Sequence, residues 1–291
     1  VPEPSGGWGA SLLDLLLVAE QHGRAVGSAP LVEAQVAARL LAAVGSNSTA
    51  GSSRASLDGV LSGDLLVTFM PRPVGSGTAP MVPAGAVADH FVALSGDDLV
   101  LVPIGDDRTC PENLGSMPVA DLTTEGGVTL ASGSDARRLH DAALDEWLLL
   151  TAGALVGIAH RSLEIGVGYA NERSAFGQPI GAFQAVGHRL ADSAAACDGA
   201  ELLGRMAAWS IDEEPDRFAE LAAMAFAFAA EAARDTSYRA LHLHGGYGFM
   251  LEYDIQLYYR RARAWAEIAM SPRQAYRRVA DRRHSRAEAA R

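Results

Sequence analysis

Tyr169-Ala-Asn-Glu-Arg173-Ser-Ala-Phe176-Gly177-Gln-Pro179-Ile180-Gly-Ala-Phe183-Gln184, running on to Leu190-Ala191-Asp192, stands between two long segments of helical pattern. It puts an arginine at the end of one expected helix, a Phe-Gly turn after it, and a glutamine at the start of the next. One corner therefore offers a bidentate cation, an aromatic face and an amide. A nucleotide diphosphate with its adenine suits such a corner. So does an Arg-capped helix hairpin, which is the commoner meaning of these residues taken alone.

A second segment, Leu241-His242-Leu243-His244-Gly245-Gly246-Tyr247-Gly248-Phe249, closes another helical stretch. Three glycines there let backbone approach a ligand and expose amide donors, though a glycine-rich helix terminator has the same composition. His242 and His244 are two apart, not the i, i+4 spacing of a helical metal pair, and no carboxylate or thiol cluster adjoins them, so no metal is expected.

Outward from these segments the helical pattern covers the C-terminal half. Helices are expected near Ala142–Asn171, Phe183–Ser210, Asp216–His242, Asp254–Trp265 and Ser271–Glu288. They are long and alanine-rich, which fits a bundle with close helix contacts and apolar faces wider than one chain covers. Upstream, Leu65–Phe69, Phe91–Leu94 and Leu99–Ile104 are short β-rich runs broken by Pro and Gly. Before them, Ser11–His22 carries a helical stripe with a Ser11/Asp14 capping pair and Gly23 as C-cap. A second helix follows Pro30 to about Val44, and the Gly/Ser-rich 45–62 stretch is expected to be loop. The fold expected is mainly α with a small β-domain: an N-terminal helical domain over 1–62, a reduced β-domain over 63–134, and a helical bundle over 135–291.

Composition narrows the partners. The net charge is −11 over 291 residues, which argues against nucleic acid or an anionic membrane. No lysine occurs, so all 24 basic residues are arginine. Their local excess over Arg273–Arg291 is either a phosphate-facing strip or, more simply, a solvated helix face. The longest apolar run, Trp147–Ala159, is short of the roughly 20 residues that cross a bilayer and is expected as a buried helix. Cys110 and Cys197 are the only cysteines, which points to a reduced, cytoplasmic setting. The chain opens on Val1, inside a Pro-Glu-Pro-Ser-Gly-Gly turn, so residues upstream are expected.

Together the two segments resemble the acyl-CoA dehydrogenase family. The match is carried by Tyr-x-x-x-Arg-x-x-Phe-Gly-x-x-Ile-x-x-x-Gln over 169–184, by Gly-Gly-x-Gly-Phe over 245–249, and by Glu252, Tyr253 and Tyr259-Arg260-Arg261-Ala262. It is firm over 141–280 and looser over Val1–Leu41. The resemblance implies a helical domain, a β-domain and a four-helix bundle, with FAD as cofactor and an acyl-CoA thioester as substrate. It also implies that Arg173, Phe176 and Gln184 reach the FAD of a neighbouring subunit, and that Gly245 and Gly246 contact its diphosphate. His242 stands where the family usually has Gln.

The family's reaction takes a proton from the substrate's α-carbon with a carboxylate base while a hydride leaves the β-carbon for the flavin. At the two positions where the family carries that base, this chain has Ala269 and Trp147. Glu267 and Glu146 stand two and one residues away, and one helical step turns a side chain by about 100°. The flavin-facing stretch of the β-domain also departs, reading Val67-Thr-Phe-Met-Pro71-Arg-Pro-Val-Gly75-Ser without acidic groups. The chain is thus expected to be a base-less subunit that completes the FAD site of a second family subunit, as in heteromeric actinobacterial enzymes taking steroid-sized CoA thioesters. A complete homo-oligomer using Glu146 or Glu267, and a flavin-free acyl-CoA-binding or assembly protein, are the alternatives.

Overall fold

The computed structural model describes residues 1–45, 51–75, 77–106 and 108–289. The chain divides into two compact units, Val1–Ser11 with Ser28–Trp147, and Leu12–Gly27 with Leu148–Arg291.

In the first unit, α2 (Leu31–Gly45) buries Val36, Ala37, Leu40, Leu41 and Val44 and packs on α3 (Gly51–Ser62) and β1 (Val67–Phe69). The loop expected over 45–62 is thus corrected for Gly51–Ser62, which is helical; 46–50 lie outside the described residues. Local propensity argues against this helix. Tertiary contact overrides it, since Leu57 is 2% exposed and the small Ser53 lies fully buried.

Of the expected strands, three are found as β1, β3 (His90–Ser95) and β4 (Asp98–Pro103). The sheet runs β1-β3-β4-β6, with β6 (Val128–Ser132) at one edge, and β1 lies parallel to β3 while the other pairs are antiparallel. Both faces of β3 and β4 are buried, which explains their continuous apolar sequence. Phe91, Ala93, Val100 and Val102 join Met70 and Val82 in one core cluster. The sequence reading missed β6 and the two-stranded pair β2 (Thr78–Val82) and β5 (Ala120–Thr123). These strands are short and half-exposed, and β2 carries Pro80, so alternation and β-rich composition are both weak.

α4 (Gly133–Glu172) begins nine residues ahead of the expected Ala142. Its first turns are polar, yet Ala136, Leu139, His140, Ala143, Leu144 and Trp147 are buried in the first unit. His140 Nε2 lies 3.1 Å from the Met70 carbonyl, and its ring tilts against Phe69. By length and composition α4 could span a membrane. However, 89% of its apolar window is buried inside the protein, as expected for a core helix.

The second unit is built from α1 (Leu12–Arg24), α4 from Leu148 onward, α5 (Gln184–Glu213), α6 (Pro215–Leu243), α7 (Ile255–Trp265) and α8 (Pro272–Ala289). α1 buries Leu12, Leu16, Ala19 and Gly23 as one stripe. A Cβ on Gly23 would stand 1.8 Å from the Ala154 carbonyl oxygen, and one on Gly157 would stand 1.9 Å from that of Glu20. Gly23 is therefore a contact glycine inside the helix rather than the expected cap. α6 packs against α5, α7 and α8 along an alanine-rich surface that includes Ala222, Ala225, Ala229 and Ala233.

The Arg-rich tail has an internal task. Glu220 on α6 is 2% exposed; Arg283 Nη2 donates to its Oε1 at 2.6 Å, and Arg286 Nη2 lies 3.0 Å from Oε2. Tyr276 on α8 donates to Glu231 at 2.8 Å. Removing both arginines (Arg283→Ala with Arg286→Ala) strands a buried carboxylate and should cost about 2–3 kcal/mol, below the range for fully buried pairs because both guanidiniums are part-exposed. Adding Glu220→Leu should recover most of the loss in a denaturant titration. A triple variant no more stable than the double would show that the pair is not what the arginines contribute.

Candidate cofactor site

The first motif folds into a tight corner. α4 ends at Glu172, the Arg173 amide donates to the Tyr169 carbonyl at 2.9 Å, and the chain reverses through β7 (Ser174–Ala175) and β8 (Gln178–Pro179). Phe176 and Gly177 form the tip, both with left-handed φ of +52° and +82°, as a two-residue hairpin of type I′ requires. Glycine adopts that conformation freely, but for phenylalanine it is strained. The Phe176 ring is nevertheless 96% exposed, edge-on to Phe183 at 6.1 Å. The Ile180 amide closes the corner on the Arg173 carbonyl at 2.8 Å, and Gln184 is the exposed first residue of α5. The Arg173 side chain is exposed, and among the described residues its guanidinium has no partner.

The second motif ends α6 and continues as a 3-10 turn over Gly245–Phe249. Gly245 has φ +59°, and a Cβ on Gly245 or Gly246 would meet no atom within 4 Å, so both face open space. The tight glycine is Gly248, where a Cβ would stand 2.5 Å from the Leu241 carbonyl oxygen. Sequence reasoning did not single out Gly248 as the position that demands glycine.

An aromatic stack that sequence reasoning also missed joins the two motifs. The buried His244 ring lies on Tyr169 at 4.0 Å between centroids, Tyr253 meets both rings edge-on, and His244 Nδ1 is 2.8 Å from the Ala240 carbonyl. The available signal was the presence of Tyr169 and Tyr253 among the residues that carry the resemblance. Between the first motif and the end of α6 lies a cavity of about 390 Å³ with apolar walls from Phe176, Ile180, Phe183, Leu190 and Leu243, and with Arg189, Arg239 and His242 as its polar residues. His242 is exposed and stacks on Tyr238 at 6.0 Å. Phe176 and His242 are thus brought into one cavity. Arg173 stands at the foot of the same hairpin, Gln184 follows Phe183, and Gly245 and Gly246 follow the end of α6. The size is that of a small-molecule pocket. Apolar walls for a planar base, with cations and unhindered backbone for phosphate, fit the nucleotide end of FAD.

The base positions look different. Trp147 is fully buried, and its indole N–H points to Glu33 at 3.4 Å. Glu146 receives two hydrogen bonds from Arg39, at 2.6 and 3.0 Å, so both of its oxygens are engaged. Burial alone would lower the Arg39 pKa, but Glu146 outweighs it and holds the guanidinium above the usual arginine range. Glu267 is an exposed residue in the turn after α7, and Ala269 follows in a half-buried bend. In the Val67–Gly75 stretch, Thr68 donates to the Pro83 carbonyl at 2.6 Å and Arg72 to that of Pro80 at 2.9 Å, so these polar groups serve the β-domain itself.

Elsewhere in the second unit, His160, Asp198 and Glu201 place ligand-type atoms within 4.8 Å of one another. Glu201 is already paired with both His160 and Arg205.

Comparison with known proteins gives a family model, relatives and similar solved structures. Residues 140–269 match the model for the acyl-CoA dehydrogenase C-terminal domain. The acyl-CoA dehydrogenase IpdE2 of Mycolicibacterium smegmatis is 31% identical over 284 residues, covering 96% of this chain and 81% of that protein. Among solved structures, a variant of the Tcur3481-Tcur3483 steroid ACAD is 27% identical with a TM-score of 0.87, covering 99% of this chain and 85% of that one. The ChsE4-ChsE5 complex from Mycobacterium tuberculosis is also 27% identical, with a TM-score of 0.83 and coverage of 97% and 83%.

Proposed function

The chain belongs to the acyl-CoA dehydrogenase family, and from that premise we propose that it is the base-less subunit of an FAD-dependent acyl-CoA dehydrogenase complex, completing the cofactor site of a second family subunit. FAD, when bound, accepts the hydride that leaves the substrate's β-carbon. This chain's part is to hold the cofactor's nucleotide end. Phe176, strained and exposed, offers a ring to the base, and Arg173 and His242 offer donors to the diphosphate.

One contrast carries the proposal: the nucleotide corner keeps Arg173, Phe176, Gln184, Gly245 and Gly246, while no carboxylate stands at either base position. Removing an α-proton takes a carboxylate that is free and shielded. Glu146 is spent on Arg39, and Glu267 is exposed to solvent. Two of the structurally similar proteins carry paired names, Tcur3481-Tcur3483 and ChsE4-ChsE5, which supports a heteromeric assembly. The first is named as a steroid enzyme, which supports a bulky CoA thioester as substrate. Exposed apolar side chains on the bundle, including Leu202, Trp209 and Leu251, supply surface for the second subunit.

Colour tests this directly. The chain purified alone is expected to be colourless, and co-expression with its second family subunit should give a yellow complex with bound FAD. A yellow, active protein on its own would establish the complete homo-oligomer instead. A complex that stays colourless with added FAD would establish the flavin-free acyl-CoA-binding or assembly role.

A further inference from the structure

Arg239 sits on α6 one turn before His242, half-buried at the wall of the 390 Å³ cavity. Its Nη1 donates to Ser193 Oγ at 3.0 Å and, more weakly, to the Arg189 carbonyl at 3.4 Å. Ser193 is 1% exposed and donates its own hydroxyl proton to the same carbonyl at 3.0 Å. The guanidinium is thus fixed to α5 by one edge. Its Nε and Nη2 have no partner among the described residues. Arg189 also lines the cavity, and none of the lining residues is acidic. Two arginines in an otherwise apolar lining, with no acidic partner among the described residues, make a field that favours an anion. The fixed edge means little side-chain freedom remains to be lost when that anion arrives.

We propose that Arg239, preset by Ser193, is a second cationic anchor for the diphosphate at the nucleotide end of the cofactor, acting beside Arg173. The proposal rests on the cofactor reading of this corner. It assigns the second anionic charge of the diphosphate, which Arg173 alone leaves uncompensated, to a residue outside both matched motifs.

The test is titration with FAD, followed by flavin fluorescence, of the assembled complex carrying Arg239→Gln, Arg239→Lys, Ser193→Ala or Arg173→Ala, beside melting curves of the flavin-free proteins. Arg239→Gln should weaken FAD binding about tenfold. Arg239→Lys should recover part of that loss, because it restores a charge but not the fork. Ser193→Ala should give a smaller loss, about threefold, since it keeps the cation and frees it. Wild-type affinity in Arg239→Gln, with affinity lost in Arg173→Ala, would overturn the anchor and leave the cofactor site standing. Undiminished affinity in both would overturn the cofactor reading itself. A lowered melting temperature in Arg239→Gln with unchanged FAD affinity would make Arg239 a structural tie between α5 and α6.

Discussion

Arg173→Ala is expected to weaken FAD retention by the complex about 10- to 100-fold while leaving the flavin-free melting temperature almost unchanged. Both backbone bonds at Arg173, its amide to Tyr169 and its carbonyl from Ile180, survive an alanine. Its guanidinium is exposed and has no partner among the described residues, so no internal bond is lost with it. What remains for the unliganded fold is the favourable position of a cation at the C-terminal end of α4, worth about 0.3–1 kcal/mol. Charge-assisted bonds to a diphosphate are worth about 1.5–3 kcal/mol, and they would vanish. Arg173→Lys should restore only part of the affinity, because a point charge cannot reproduce the planar fork. Flavin titration and apo melting curves separate the two roles. Unchanged affinity with a lowered melting temperature would reduce Arg173 to a helix cap, and the assignment of Phe176 and Gln184 would fall with it.

The chain alone, given FAD, an acyl-CoA thioester and a dye acceptor, is expected to show no turnover above background. Trp147 and Ala269 cannot take a proton, and a catalytic base contributes on the order of 10²- to 10⁴-fold. Glu146→Gln should change stability rather than chemistry, because it leaves Arg39 part-buried beside a neutral amide, at a cost of about 1–2 kcal/mol. Glu267→Gln, at an exposed turn, should change neither. Turnover by the chain alone that either substitution abolishes would show that the base had been placed wrongly.

The helical bundle was legible because its signals are local. Long apolar stripes give α5, α6 and α7 to within three residues, and the Phe-Gly pair predicts a turn that the left-handed angles at Phe176 and Gly177 bear out. The chemistry of the corner was likewise readable as residue types in order. The structure adds the cavity that puts Phe176 and His242 together, and the Tyr169–His244 stack that joins two segments far apart in sequence.

Where local preference and burial disagree, the sequence alone misled. The Gly/Ser composition of 51–62 reads as loop, yet contact with α2 makes it helix. The polar opening of α4 hides a helix start that burial of His140 and Trp147 supports. Arginines 283 and 286 read as a solvated face until Glu220, buried on α6, gives them a partner. The sequence by itself determined the family, through the resemblance of two motifs, and the order of the helices in the C-terminal half, since these follow from motif spacing and short-range periodicity. Only the tertiary structure decided which charges are already spent: Glu146 on Arg39, Glu220 on the tail, Arg239 preset by Ser193. Pairing depends on distance between residues that the chain's linear order leaves undefined.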